Sequence, residues 1–139
     1  MPGEALFLDS AYVIALAQMS DQHHAKAVQI AASLLHGNTP LVTTRAVMLE
    51  IGAALARSKA RLGAMSLIAS LESSPFVEII PLTEELSAQG WALFCERGDK
   101  EWSWTDCISF VVMNERGLKQ SLTSDQHFEQ AGFTALLRH

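Results

Sequence analysis

Short apolar runs alternating with helical stretches predict an α/β chain, with a short central parallel sheet flanked by helices on both faces. Three observations carry this reading. Ala5-Leu6-Phe7-Leu8, Pro40-Leu41-Val42-Thr43 and Phe76-Val77-Glu78-Ile79-Ile80 have the length and composition of buried strands. The stretches between them open on Ser, Thr or Asp, and several close on glycine, as helices do. Finally, 49% of the 139 residues are hydrophobic and only 18% are charged, which favours a folded core over disorder. No internal repeat, linker or low-complexity segment interrupts the chain, so residues 1–139 are expected to form a single domain.

In chain order, the first strand stops at Asp9, and Ser10 is placed to cap a helix continued by Tyr12, Val13, Ile14, Leu16 and Met19. Asp21 is a good N-cap for the next helix. Its apolar stripe is read as Ala25, Val28, Ala32 and Leu35, closed by Gly37-Asn38. After the second strand Thr44 caps a helix expected from Arg45 to Lys59. A further helix runs from about Leu62 to Leu71, with the basic stretch 57–61 at the tip between the two. Ser74-Pro75 breaks that helix, and Pro81 ends the third strand. Thr83 followed by Glu84-Glu85 starts the next helix with acids in its first turn. Leu86, Trp91, Leu93 and Phe94 supply its apolar residues, and Gly98 is its stop.

Ser103-Trp104-Thr105-Asp106 then opens an apolar run from Ile108 to Met113 that ends at Gly117: a buried helix with a glycine stop. Ser103-x-x-Asp106 has capping-box spacing, so Asp106 has a structural role available to it before any chemical one. The polar Lys119-Gln120-Ser121 places the following strand toward a sheet edge. Asp125 comes just after that strand. A short helix to Gly132 and a last strand within Phe133–Leu137 complete the chain.

Charge and composition exclude several classes. The net charge is −5, which argues against a generally basic nucleic-acid surface. Four acids gathered at one cation would leave 11 of the 15 acidic residues against 10 basic ones, so a polyanionic substrate stays open. Apolar stretches are interrupted well before the ~18 residues of a membrane span. Met1-Pro2-Gly3-Glu4 lacks the basic flank and long apolar region of a signal peptide. Cys95 and Cys107 form neither a CxxC nor a dense framework, as expected in a reducing cytoplasm.

In an open parallel sheet, ligands bind beyond the carboxyl ends of the strands. Asp9 ends the first strand, Asp125 follows the fourth, and Asp106 opens a helix packed nearby. Glu50 is the one charge in the run from Ala46 to Ala56, six residues past Thr44 and too far to cap. On that flank it is either a solvent-facing Glu or a carboxylate that needs a partner. Four carboxylates in one crevice cannot all stay ionised without a cation. Oxygen ligands select Mg²⁺ or Mn²⁺, and such an ion supports phosphodiester hydrolysis. The histidines at 23, 24, 36, 127 and 139 have no zinc spacing, and His127 reads as packing near Asp125. There is no GxxxxGK[ST], GxGxxG or GxSxG. Trp91, Trp102 and Trp104 offer rings for base stacking, with buried packing the expected role.

Phe7-Leu8-Asp9-Ser10, Thr43-Thr44 with Glu50, Ser103-Trp104-Thr105-Asp106 and Leu122-Thr123-Ser124-Asp125-Gln126-His127-Phe128 together resemble the ordered acidic motifs of PIN-domain nucleases, over essentially the whole chain. The resemblance implies a PIN-like three-layer fold. Small single-domain members resemble VapC toxins of toxin–antitoxin pairs, which implies a Mg²⁺-dependent endoribonuclease, a homodimer, and neutralisation by a small antitoxin whose tail enters the acidic groove. The same resemblance implies Asp9 and Asp106 as direct metal ligands, with Asp125 and Glu50 acting through water or completing the cluster. Ser10, Thr105 and Thr123 would orient those acids. A surplus of small and aliphatic residues in Ala46–Ala56 and Leu62–Leu71 suggests the homodimer surface, with Arg57, Lys59 and Arg61 beside the RNA groove.

Three other readings compete. One is a PIN nuclease that processes RNA outside toxin–antitoxin systems. Another is a catalytically idle partner-binding module, which has no need of a lone Glu50. A phosphoacceptor signalling domain is the third; it calls for adjacent acids after strand one, and Asp9-Ser10 does not supply them.

Overall fold

The computed structural model describes residues 4–57 and 59–139. The N-terminal tripeptide used above against a signal peptide, and Ser58 within the basic stretch, lie outside the described residues. Five strands form one sheet: β1 (Leu6–Leu8), β2 (Leu41–Thr44), β3 (Val77–Ile80), β4 (Gln120–Leu122) and β5 (Thr134–Ala135). Their order across the sheet is β3-β2-β1-β4-β5, and every pairing is parallel. The chain builds outward from β1 through β2 to β3, then returns to the other side of β1 with β4 and β5. The direction of winding therefore reverses between β1 and β4, and a crevice opens beyond the carboxyl ends of those two strands.

Helices flank the sheet: α1 (Ser10–Ala17), α2 (His24–Gly37), α3 (Arg45–Ala54), α4 (Arg61–Ser73), α5 (Glu84–Glu96), α6 (Trp104–Arg116) and α7 (Gln126–Gln130). A 3-10 turn, Leu136–Arg138, follows β5. α1 packs on α2, α3 and α4, while α5 lies along α6, which also touches α3 and α7. Phe7, Phe110 and Phe128 are fully buried, and the edge of Phe110 meets Phe128 at 4.9 Å, joining strand, helix and C-terminal segment in one core. Gly90 permits the closest approach of α5 to α6. A Cβ there would lie 2.4 Å from Ile108 Cγ1 and 3.2 Å from the Ile108 backbone.

Where sequence chemistry is specific, the elements begin and end as expected. Thr44 and Thr83 accept the amides of Val47 and Leu86. Ser103 and Asp106 form both halves of the capping box, and Gly117 takes the left-handed conformation that ends α6.

Elsewhere the structure corrects the sequence reading. α2 begins at His24 rather than after Asp21, whose carboxylate instead accepts the His23 amide in the preceding turn. The stripe assigned to α2 is its outer face: Ala25, Val28, Ala32 and Leu35 are exposed, whereas Ala27, Ile30, Ala31 and Leu34 face the core. α3 ends at Ala54, five residues early, with Leu55 as its buried C-cap. α5 is closed by Arg97, one residue before the expected Gly98. β4 is not an edge strand, because β5 pairs outside it. The polarity of β4 is absorbed internally: buried Ser121 donates its hydroxyl to the Phe7 carbonyl. Trp102 is buried, but Trp91 and Trp104 are exposed and meet at 5.1 Å.

Candidate active site

Two buried hydroxyls fix the strand on which the site is built. Thr43 of β2 donates to the Leu8 carbonyl at 2.7 Å, and Ser121 of β4 donates to that of Phe7 at 3.2 Å. β1 is thereby clamped from both sides just before Asp9. Asp9 is the N-cap residue of α1, yet its side chain does not cap that helix. It is 3% exposed, and its Oδ2 accepts the Thr123 hydroxyl at 2.6 Å.

The other three acids arrive from three further elements. Asp106 is the third residue of α6; its Oδ2 accepts the Ser103 amide at 3.2 Å. Asp125 is the N-cap of α7; its Oδ1 accepts the His127 amide at 2.8 Å. Glu50, half-buried midway along α3, accepts the Ser10 hydroxyl through Oε1 at 2.5 Å. Three of the four acids thus stand at helix N-termini, where the partial positive charge of the backbone favours a carboxylate. Each carboxylate is held through one oxygen by a neutral donor, and among the described residues none pairs with a lysine or arginine.

The electrostatics follow from that crowding. Burial above all, opposed by the Thr123 hydrogen bond and aided by the charges of Asp106 and Glu50, raises the Asp9 carboxyl from its ordinary 3.8 to about 7. Burial also raises Glu50, helped by the charges of Asp106 and Asp125. Asp106 is raised by burial and by Asp125, against the stabilising contacts of Ser103 and His127. Each of the four acids therefore lies within electrostatic reach of at least two of the others.

Of the residues named from sequence, Asp9, Glu50, Asp106, Asp125, Ser10 and Thr123 are brought together. Ser10 does not cap α1 but turns to Glu50. The Thr105 hydroxyl makes no hydrogen bond to any of the acids; its carbonyl accepts from Ser109 at 3.1 Å. Sequence reasoning had the Ser103–Asp106 capping box but missed one contributor, His127, which it read only as packing near Asp125. The imidazole Nδ1 of His127 lies 3.1 Å from Asp106 Oδ2 and 3.3 Å from Asp125 Oδ1. Donor atoms of these three residues fall within 4.8 Å of one another, close enough to share one ion. The available signal was positional: a histidine two residues beyond an N-cap aspartate faces back toward it.

The PIN-domain family model matches residues 6–134. The chain belongs to the PIN-domain family. Its motifs, fold and acidic crevice agree with this nuclease family, and the VapC-type resemblance seen in the motifs extends over the chain. The curated relatives are the 23S rRNA-specific endonucleases VapC20 of Mycobacterium tuberculosis, from strains CDC 1551 and H37Rv. Both are 29% identical over 129 residues, 92% of this PIN domain and 95% of theirs. The crystal structure of M. tuberculosis VapC20, titled a sarcin–ricin loop cleaving toxin, superposes with a TM-score of 0.81 at 27% identity, covering 93% of this chain and 96% of that one. VapBC2 from Rickettsia felis, bound to a promoter DNA fragment, matches in fold with a TM-score of 0.63 at 13% identity, over 94% and 96% of the two chains.

Proposed function

We propose that this PIN domain is a divalent-metal-dependent endoribonuclease of the VapC type, the toxin of a toxin–antitoxin pair. The observation that carries the reading is the convergence of four carboxylates, unneutralised by lysine or arginine, at the switch point of the sheet. The donor set fits Mg²⁺ or Mn²⁺, since it offers mainly carboxylate oxygen and no thiolate. Asp9 and Asp106 would hold the ion directly, with Glu50 and Asp125 acting through water or completing the cluster. When bound, such an ion supplies Lewis acidity at a phosphoryl oxygen and a water nucleophile at neutral pH. The chain's own contribution is preorganisation. Thr123 holds Asp9, Ser10 holds Glu50 and the Ser103 amide holds Asp106, so no carboxylate need swing into place during the reaction. Ser10 and Thr123 are thus positioning residues; Thr105 is left with that role only through the first turn of α6.

The names of the relatives make ribosomal RNA the first substrate to test. A small antitoxin is the expected partner, with a segment seated over the acids. The exposed Leu49, Leu62 and Met65 on α3 and α4 support a homodimer through these helices. Arg57 and Lys59 are exposed in the loop between them and Arg61 at the start of α4, where they can meet RNA phosphates. A cytoplasmic location accords with free Cys95 and Cys107. Among the described residues no helix is long and apolar enough to cross a membrane.

The deciding experiment is internal cleavage of ribosomal RNA by purified protein with Mg²⁺ or Mn²⁺, with EDTA and Asp106→Ala as controls. Cleavage that survives either control would overturn this reading of the site.

A further inference from the structure

We propose that His127 is a positioning residue that ties Asp106 to Asp125, so that the two carboxylates present their remaining oxygens to a cation together. The inference rests on the metal-site reading above and concerns a residue that the four-acid pattern leaves out. His127 uses two of its groups. Its backbone amide donates to Asp125 Oδ1 at 2.8 Å. Its ring Nδ1 lies 3.1 Å from Asp106 Oδ2 and 3.3 Å from Asp125 Oδ1.

The surroundings fix the tautomer. Both facing oxygens belong to carboxylates, which in their ionised form accept and do not donate, so the proton is placed on Nδ1, where it is donated to Asp106 Oδ2 with Asp125 Oδ1 3.3 Å away. A nitrogen carrying that proton has no lone pair for a metal, so Nδ1 serves the acids as a donor, while the lone pair of Nε2 leaves the ring at the opposite edge, away from both carboxylates. With its ring on Asp106 and its backbone amide on Asp125, His127 offsets part of the repulsion between the two acids and couples the start of α7 to the start of α6. Asp106 Oδ1 and Asp125 Oδ2, which take no hydrogen bond among the described residues, are left for the ion.

The test is Mn²⁺ binding to the full chain, measured by calorimetry and by electron paramagnetic resonance of the bound ion. Wild type is compared with His127→Leu, His127→Asn and His127→Gln. The Asn amide places an N–H near the position of Nδ1, whereas Gln carries it one carbon too far. His127→Leu should weaken Mn²⁺ binding by about 10- to 100-fold, the range for loss of a group that orients a metal-binding side chain. His127→Asn should restore most of that affinity and His127→Gln little. Melting in EDTA identifies any variant that has lost its fold; the Asn–Gln contrast then still decides the matter. Equal affinity in all four proteins would overturn the proposal, as would nitrogen coupling to Mn²⁺ in the wild type, which would make the ring a ligand. A wild type that binds no Mn²⁺ would overturn the metal-site reading itself. Indifference to His127 in a protein that binds Mn²⁺ would overturn the present inference alone.

Discussion

The acidic crevice and the outer face of α3 and α4 break the usual partition of a folded chain in opposite ways. In the crevice, charge is buried: Asp9 and Asp106 are almost inaccessible, and among the described residues no buried side-chain nitrogen or oxygen lacks a hydrogen-bond partner. On α3 and α4, apolar surface is left out: Leu62 is 76% exposed, Leu49 62% and Met65 58%. The crevice is fully wired internally and still electrostatically incomplete, because hydrogen bonds from neutral donors do not cancel four negative charges. Leu49, Leu62 and Met65 carry no charge and lack only cover. On the function proposed above, one region takes an ion and the other a protein surface, and the two should respond to different perturbations.

The largest expected effect lies in the crevice. Asp9→Ala should reduce RNA cleavage by on the order of a hundredfold or more, since it removes a preorganised group at the reacting centre. Cation-free stability should hold or rise, because one of several mutually repelling acids is gone. Gel cleavage and urea denaturation in EDTA measure the two sides; parallel loss of both would make Asp9 a structural residue.

A second effect in the crevice follows from pH. The Asp9 carboxyl is raised to about 7 in the folded chain against an ordinary 3.8, so between those values the native state holds a proton that the unfolded chain has released. Without a cation, stability should therefore be greatest near the lower value and fall as pH rises toward 7, by on the order of 4 kcal/mol for this one group. Glu50 and Asp106 are shifted the same way and add to the trend. Denaturation in EDTA across pH 5 to 8, in the wild type and in Asp9→Asn, tests it; the substitution should remove most of the slope.

Adding the ion should reverse that loss. Mg²⁺ or Mn²⁺ at a hundredfold excess over its dissociation constant should stabilise the protein by about 2.7 kcal/mol, read as a rise in melting temperature. Asp106→Asn should blunt the rise, and an equal rise in wild type and variant would remove Asp106 from the site. The smallest effect belongs to the other region. Leu62→Ser should change the stability of the isolated chain by no more than about 0.5 kcal/mol, as at other exposed positions. Light scattering should nevertheless show that it abolishes the dimer; a wild type that is monomeric at micromolar concentration would refute that surface.

Legibility in the sequence followed the chemical specificity of the signal. Thr44, Thr83, Ser103 and Gly117 mark element ends because a hydroxyl or a left-handed backbone is needed there and few residues supply either. The acids were legible for a related reason: each stands where a strand ends or a helix begins, apart from Glu50, which an apolar run exposed. The face of α2 was not legible, because Ala, Val, Ile and Leu recur almost all the way round that helix and periodicity does not choose between two apolar sides. The end of α3 was missed because no glycine or proline follows Ala54 directly. The placement of β4 failed on polarity, since the Ser121 hydroxyl is satisfied by the Phe7 carbonyl and can be buried. His127 was passed over because a histidine near an aspartate is ordinary in sequence. Only the meeting of α6 and α7 gives it two carboxylates.

The capping box at the start of α6 has a genetic consequence. Asp106 both terminates a helix and carries a charge in the crevice, and the two duties differ in what they tolerate. An asparagine keeps an oxygen for the Ser103 amide and is itself a good residue near helix starts, but it removes the negative charge. Aspartate and asparagine codons differ by a single base. Selection for cells that survive forced expression of an active toxin should therefore recover Asp106→Asn among full-length, folded escape variants, whereas Asp106→Val, another single-base change, should appear with impaired solubility. If Asp106 has the proposed role, the fold is one nucleotide away from an inert copy of itself.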